Sequence, residues 1–215
     1  GDWDGCGRGL AGIEAREAAN PTLRRCKVRA GKQCGIMFGD DGKGTVEDCE
    51  FSGNALAGIE VKKGGEPTVK RSRFTGGAAS GAYIHDHGKG HFEDCEFSGN
   101  ATCGVSLKGF SDPVFRRCAI KDNSQSGVAC HEGALGTFEK CEMSGNERLG
   151  MTSYDGSNPS LKGCKVFGNK QGGLWAYDKA RGTYEDCDLY GNDKSAINIS
   201  KGAHPLVRRC TLRDG

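Results

Sequence analysis

The chain has 215 residues, of which 36 are glycine and only 35% are hydrophobic, and its 30 basic residues nearly balance its 28 acidic ones. This balance gives no reason to expect binding to nucleic acid or to an anionic membrane. No apolar run approaches the length of a membrane span, and no charged-then-apolar leader opens the chain, so we expect no membrane segment. The composition is typical of many turns around a thin core.

An internal repeat dominates the sequence. The motif DCEFSGN occurs at 48–54 and again at 94–100, with a degenerate copy, RSRFTGG, midway at 71–77. From Leu10 onward the chain divides into nine units of 23 residues without insertion or deletion, the last being one residue short. We call each unit a coil and number its positions from one to twenty-three. A fixed period of this kind is the signature of a solenoid.

Each coil begins with a predicted first strand. GIEV at 58–61 alternates apolar and polar residues, as a half-buried strand does. Glycine fills position three in eight coils, and position four is apolar in all nine. Position four holds Ile13, Ile36, Ile59, Ala82, Val105, Val128, Met151, Leu174 and Ile197. This column is predicted to form one interior ladder.

Two further strands follow in every coil. TVEDCEF at 45–51 alternates except at the adjacent charges Glu47 and Asp48, which mark a corner. Glycine and asparagine near positions nine to ten and twenty-one to twenty-two are expected to supply the turns. Like residues recur at every step of 23, which favours parallel pairing of residue i with i+23, and parallel crossovers are overwhelmingly right-handed. The sequence therefore predicts an all-β fold, a right-handed parallel β-helix (solenoid) with three short strands per coil.

Charge alternation supports this stacking. Position fifteen changes sign at every coil, through Arg24, Glu47, Lys70, Glu93, Arg116, Glu139, Lys162, Glu185 and Arg208. Position sixteen nearly repeats the pattern, until Lys140 and Gly163 interrupt it. Opposite charges on neighbouring strands attract, so we expect these pairs to fix the register rather than to supply bulk stability.

Eight of the 12 cysteines form a column, which is not the pattern of a disulfide framework. Position seventeen holds Cys26, Cys49, Cys95, Cys118, Cys141, Cys164, Cys187 and Cys210. It alternates with an apolar position and so points inward, where neighbouring Cβ atoms are too far apart and too parallel for disulfides. No C-x-x-C motif offers zinc ligands, so we expect no metal and no cofactor. Buried, reduced thiols predict an intracellular, cytoplasmic location, although sequons at 100–102 and 198–200 are the opposite signal.

The coil pattern GIxV…PTVKRCxFxGN resembles the parallel β-helix repeat of the pectin-lyase-like superfamily over residues 10–215. It is most similar to the regular, loop-poor repeats of carbohydrate-binding and sugar-hydrolase domains and of the β-helix segment of some F-box proteins. The resemblance implies the fold, which carries lyases, hydrolases, epimerases, adhesins and recognition modules. In its polysaccharide-active members the outward face of the first strand is the substrate cleft.

Candidate binding residues lie on that face, at positions five, seven and eight. The predicted ligand-binding set is His131, Glu132, Tyr154, Asp155, Trp175, Tyr177 and Asp178. Three like charges in successive coils beside clustered aromatic rings depart from the alternation seen elsewhere. Flat rings and carboxylates suit a sugar or a peptide. The alternative is that these residues bind no ligand and form a solvated acidic edge.

A catalytic alternative uses an adjacent part of the same face. Its candidate residues are Tyr83, His85, Asp86, His87, Lys108 and His131. YIHDHGKGH at 83–91 resembles the tyrosine-aspartate-histidine cluster of mannuronan epimerases, matched at most by Tyr83, Asp86 and His87, with a different spacing to the histidine. No coil carries an insertion that could close over a sugar.

The main prediction is therefore a non-catalytic recognition or scaffold module that binds a protein or a glycan along the first-strand face. The alternative is a carbohydrate-active enzyme, a polysaccharide lyase, hydrolase or epimerase, that uses the same face. Residues 1–9 are predicted to be an incomplete leading coil or a linker, and residues 10–215 the β-helix domain. Neither end shows the polar cap that protects the edge of a solenoid, so we expect a fragment of a longer chain or end-to-end self-association.

Overall fold

A computed structural model describes residues 2–3 and 11–214, and all regular structure in these ranges is β-strand. The strands form three sheets, one for each strand of the coil. The first sheet comprises Ala11–Ala15, Cys34–Phe38, Ile59–Val61, Ala82–Ile84, Val105–Leu107, Val128–Cys130, Leu149–Ser153, Gly172–Ala176 and Ile197–Ile199. The second comprises Thr22–Arg24, Lys43–Glu47, Glu66–Lys70, His91–Glu93, Val114–Arg116, Thr137–Glu139, Ser160–Lys162, Thr183–Glu185 and Leu206–Arg208. The third comprises Asp2–Trp3, Lys27–Arg29, Glu50–Ser52, Arg73–Thr75, Glu96–Ser98, Ala119–Lys121, Glu142–Ser144, Lys165–Phe167, Asp188–Tyr190 and Thr211–Arg213.

The predicted architecture and register are confirmed. Every pairing is parallel, and neighbouring coils pair residues 23 apart, as Ile36 does with Ile59. Asp2 pairs with Lys27 instead, an offset of 25, and the other residues of the predicted leading segment lie outside the described ranges. No helix of the described chain is long and apolar enough to cross a membrane. The last coil leaves Leu206 and Leu212 about half exposed, and end-to-end self-association stays a prediction.

Ladders of identical or similar side chains fill the core. Ile36, Ile59 and Val105 of the predicted position-four ladder are fully buried, and Ile13 in the first coil is partly buried. Phenylalanine rings of successive coils stack, with centroids 4.9 Å apart for Phe115 and Phe138. Such stacks add to the burial of apolar area, so the thin core is continuous from coil to coil.

The corner predicted at Glu47 and Asp48 is present, since Asp48, at position sixteen, has a φ of 54°. A second corner lies at position eight, one residue before the turn predicted at positions nine to ten. Positions eight and sixteen take the left-handed backbone conformation with residues other than glycine, for example Asp155 at φ 51° and Arg117 at φ 51°. An isolated residue in this conformation is strained by about 1 kcal/mol or more. The stacking holds it in place, because the corner amide of Arg117 donates a hydrogen bond to the carbonyl of Glu139 in the next coil.

Asparagine at position twenty-two, expected in a turn, points into the core. Asn146 is fully buried, and its Oδ1 accepts hydrogen bonds from the backbone nitrogen and Nδ2 of Asn123, at 3.1 and 3.0 Å. Its own Nδ2 donates to Asn169 Oδ1 at 2.9 Å and to the Ile120 carbonyl at 3.3 Å. The asparagine ladder therefore ties each coil to the coils on both sides of it.

Gly77 occupies position twenty-two of coil three and interrupts the asparagine ladder. In the preceding coil, Asn54 Nδ2 is buried without a hydrogen-bond partner. Gly77 does not have a left-handed backbone, and a Cβ there would lie 3.3 Å from Asn100 Oδ1. We expect Gly77→Asn to supply the missing acceptor and to raise the free energy of unfolding by about 1 kcal/mol in urea denaturation. Gly76→Asn, at a left-handed position with open space around it, is the control. A Gly77→Asn protein no more stable than that control would contradict the prediction.

The charged and cysteine columns also follow the prediction. Position-fifteen and position-sixteen pairs form between neighbouring coils, with Arg116 Nε 2.8 Å from Glu139 and Arg71 Nε 2.8 Å from Asp48. Position-seventeen cysteines are buried in the inner coils, and no cysteine of the described residues forms a disulfide, while Cys6 lies outside those residues. Each thiol has a nearby carbonyl, as Cys95 Sγ donates to the Glu93 carbonyl at 3.3 Å. This local hydrogen bond explains how the interior accepts a column of thiols.

Candidate ligand-binding face on the first sheet

Positions five and seven of the coil form an outward face on the first sheet. Positions four and six of the same strand are buried, as in Val128–Cys130, so position five emerges on the opposite side. Position seven follows directly after the strand, just before the left-handed corner at position eight. We call the surface made by these two columns, from Glu60 in coil three to Tyr177 in coil eight, the first-sheet face.

A row of aromatic rings lies along this face. The rings of His131 and Tyr154 are 4.9 Å apart at 6°, and those of Tyr154 and Tyr177 are 5.0 Å apart at 7°. Tyr154 and Tyr177 share position seven in adjacent coils, and their rings stack. The ring faces cover one another, however, and Lys201 lies 5.7 Å from the centre of the Tyr177 ring. The row consequently offers a ligand ring edges and hydroxyls rather than the flat faces that the sequence suggested.

Trp175 stands beside the end of this row. Its ring lies 4.5 Å from that of Tyr177 at 36°, and its Nε1 donates a hydrogen bond to Ser200 Oγ at 3.1 Å. A recess of about 200 Å³ opens next to it. The recess is lined by Leu149, Gln171, Leu174, Trp175, Lys194, Ser195 and Asn198. Trp175 is therefore the part of the aromatic cluster that borders a cavity.

The three acids predicted at position eight are not equivalent. Glu132 lies 3.8 Å from Lys108 Nζ and 3.4 Å from His131 Nδ1. Burial lowers the pKa of His131, against the opposing charge of Glu132. Asp155 and Asp178 are exposed and make no ion pair within the described part of the chain. They remain available as hydrogen-bond acceptors for a ligand.

Five coils from Asp178, the last of these acids, Glu60 is the centre of a second cluster. Its side chain is only 12% exposed, and its Oε1 lies 3.0 Å from His85 Nε2 and 2.9 Å from Lys62 Nζ. Its other oxygen accepts the Cys34 thiol at 3.3 Å. Burial alone would raise the pKa of Glu60, but hydrogen bonds from these three side chains lower it to about 2. Glu60 is thus a fixed anion on which neighbouring groups are oriented.

His85 joins this anion to the predicted catalytic residues. Its Nδ1 lies 3.1 Å from Asp86 Oδ2, so both ring nitrogens face carboxylates. A carboxylate only accepts, and both bonds therefore form together only in the doubly protonated ring. The Tyr83 ring stacks on His85 at 4.4 Å. A hydrogen bond with Tyr83 raises the pKa of Lys108, which keeps an ammonium beside the phenol oxygen.

The structure separates His87 from this cluster. His87 stacks on the exposed ring of Phe110 at 5.8 Å, on the turn beyond Asp86. His85, rather than the His87 of the epimerase-like match, is therefore grouped with Tyr83 and Asp86. Sequence reasoning missed Glu60 and did not connect Cys34 with the face. The available signal was that positions five and seven of neighbouring coils, 25 residues apart, lie diagonally opposite.

A second recess, of about 320 Å³, opens beside the Glu60 cluster. It is lined by Cys34, Leu56, Ala57, Glu60, Ala79, Ser80, Tyr83 and Ser106. Within the described ranges, no group of three or more His, Cys, Asp or Glu residues is arranged to hold a metal ion.

The model of a sequence family described as "Right handed beta helix region" matches residues 11–147 and 131–215. The chain belongs to this family. No curated protein matches the sequence. The fold is that of the pectin-lyase-like superfamily, as the resemblance implied.

Several solved structures are similar in fold at low sequence identity. The periplasmic alginate epimerase AlgG is 13% identical with a TM-score of 0.80, over 89% of this chain and 50% of AlgG. The A-module of the Azotobacter vinelandii mannuronan C-5 epimerase AlgE4 is 13% identical with a TM-score of 0.67, over 89% of this chain and 63% of that one. The Agl-KA catalytic domain is 12% identical with a TM-score of 0.65, over 92% of this chain and 49% of that one. The chain thus spans about half the length of AlgG.

Proposed function

We propose that the protein binds a polysaccharide along the first-sheet face. The observation that carries this proposal is the unbroken series of half-buried polar aromatic and charged side chains on one face from coil three to coil eight, with a recess at each end. Five steps between coils correspond to about 24 Å. A narrow face of this length, with hydroxyls and carboxylates at regular intervals, suits an extended chain of sugars better than a broad protein surface.

Each part of the face has a task in this proposal. Asp155 and Asp178 accept hydrogen bonds from sugar hydroxyls, and the hydroxyls of Tyr154 and Tyr177 donate or accept them. Trp175 provides apolar contact at the smaller recess. Support comes also from the fold neighbours, since AlgG and AlgE4 are epimerases of alginate and mannuronan. Their identity to this chain is low, so the argument rests on the side chains of the face.

A second candidate function is acid–base catalysis on the bound polysaccharide. It is favoured by the position of Tyr83, which contacts His85 and hydrogen-bonds with Lys108. A phenol that is hydrogen-bonded to an ammonium can donate its proton to a sugar oxygen, and after losing that proton it can take one from a sugar carbon. In this reading Glu60 and Asp86 orient His85 and do not themselves transfer protons.

The binding proposal predicts the effect of two substitutions. Trp175→Ala should weaken binding to the best ligand in a panel of alginate, polygalacturonate and acetylated xylan by about 2 kcal/mol, roughly thirtyfold. Tyr154→Ala should also weaken it, because it breaks the aromatic row. Tyr190→Ala is the matched control, since Tyr190 stacks on Phe167 on the third sheet. Affinity electrophoresis provides the measurement. Equal affinities in all three variants would place the site on another face.

The catalytic candidate has its own test on the same panel. Tyr83→Phe should abolish the formation of any product, detected as new reducing ends, unsaturated ends or an altered uronate epimer ratio, and should leave the affinity within about threefold. If no product forms with the unsubstituted protein on any polymer that it binds, binding without catalysis is the function.

A further inference from the structure

The two recesses of the first-sheet face occupy the same place in the repeat. Each lies between positions one and two, at the N-terminal ends of the first-sheet strands, and the outward side chains of position five. In the recess beside Trp175, position one is Gln171 and Lys194. In the larger recess, which we call the coil-three groove, the same position is Leu56 and Ala79. The two recesses therefore share their architecture and differ in their chemistry.

The coil-three groove has an apolar wall at a position that is polar in most coils. Position one is apolar at Leu10, Leu56 and Ala79, and it is polar in the other six coils, as Gln33, Thr102, Gln125, Arg148, Gln171 and Lys194. Leu56 nevertheless leaves 44% of its side chain exposed. Exposed apolar area costs free energy that a bound apolar group would recover. Because Leu56 is exposed, this apolar wall does not serve the core.

The polar atoms around the groove already have partners. Glu60 accepts three hydrogen bonds, and burial raises the pKa of the Cys34 thiol to about 12, so the thiol is neutral. The Ser80 hydroxyl lies 2.8 Å from the Thr102 hydroxyl. Only the half-buried hydroxyl of Ser106 has no hydrogen bond within the described residues. The groove therefore combines an apolar wall, one available hydroxyl and no unpaired charge.

We propose that the coil-three groove binds the acetyl group of an acetylated polysaccharide. The methyl group contacts Leu56, Ala57 and Ala79, and the acetyl carbonyl accepts a hydrogen bond from the Ser106 hydroxyl. A bare sugar hydroxyl gains little there, because it leaves its hydrogen-bonding capacity unsatisfied against alanine and leucine. The groove opens at Tyr83 onto the first-sheet face, so this inference rests on the proposed function.

The test compares O-acetylated alginate with the same sample after mild alkaline deacetylation, and acetylated xylan with its deacetylated form. The protein should bind at least one acetylated polymer about tenfold more tightly than its deacetylated counterpart. Leu56→Gln, which installs the residue found at position one in three other coils, should reduce this ratio below about twofold and leave the affinity for the deacetylated polymer unchanged. Leu135→Gln, another exposed leucine on a different turn, should keep the full ratio.

Three results would overturn the inference. They are equal affinities for acetylated and deacetylated polymers, a ratio that survives in Leu56→Gln, and equal weakening of both polymers by Leu56→Gln. If the deacetylated polymer still binds in these cases, and Trp175→Ala weakens that binding, the polysaccharide proposal stands without the acetyl site. If neither form of either polymer binds, both proposals fail together.

Discussion

Asn146→Ala is expected to lower the free energy of unfolding by about 3 kcal/mol, because it leaves several buried polar groups without partners at once. The backbone nitrogen and Nδ2 of Asn123 lose their shared acceptor, and the Ile120 carbonyl loses a donor. None of these groups can turn to solvent, since Asn123 and Asn146 are fully buried. Urea denaturation followed by circular dichroism measures the loss.

Asn158→Ala is the matched control for this prediction. Asn158 is exposed at the turn of the next coil, and its side chain makes no hydrogen bond within the described residues. The control should change the free energy of unfolding by less than about 0.5 kcal/mol. Because each coil contacts only its neighbours, hydrogen exchange should rise first in coils five to seven of the Asn146 variant. A loss below about 1 kcal/mol would mean that the ladder is dispensable.

The fold could be predicted because each structural role recurs at one position of the repeat. Ile36 and Ile59 occupy the same column, so their pairing follows directly from the period of 23. The charge pair of Arg116 with Glu139 follows in the same way. A role that repeats nine times is visible in a single sequence without any knowledge of side-chain geometry.

The site could be predicted only in part, because its contacts cross columns. Tyr154 and Tyr177 share position seven, and their stacking was visible. Glu60 and His85 lie at positions five and seven of adjacent coils, 25 residues apart, and a comparison at 23 does not bring them together. The sequence likewise does not specify the side-chain rotamers of Tyr154 and Tyr177. It therefore could not show that their ring faces cover one another.

The backbone conformation of the corners could also be predicted only in part. Arg117 and Asp155 adopt a conformation that local preferences disfavour, and tertiary stacking enforces it. The adjacent charges Glu47 and Asp48 marked the corner at position sixteen, whereas local turn rules placed the other turn at positions nine to ten rather than at position eight. The asparagines of position twenty-two form hydrogen bonds in the interior. A column of asparagines looks the same in the sequence whether it lies in an outward turn or in an inward ladder.

Glu60→Gln is expected to lower the free energy of unfolding by about 2 kcal/mol or more at pH 7, because it removes a buried anion whose pKa is held at about 2. A folded pKa below the ordinary value of 4.5 means that the anion stabilises the fold fully above about pH 5. Its contribution then falls as the pH drops from 4.5 towards 2. The stability difference between the unsubstituted protein and the variant should therefore shrink over this window.

Glu142→Gln is the control for the charge itself, since Glu142 is exposed on the third sheet and makes no ion pair within the described residues. Urea denaturation of the three proteins at pH 7, 5 and 3 separates the site from general acid effects. A stability difference that stays constant between pH 7 and pH 3 would contradict the role of Glu60 as a buried anion that stabilises the fold.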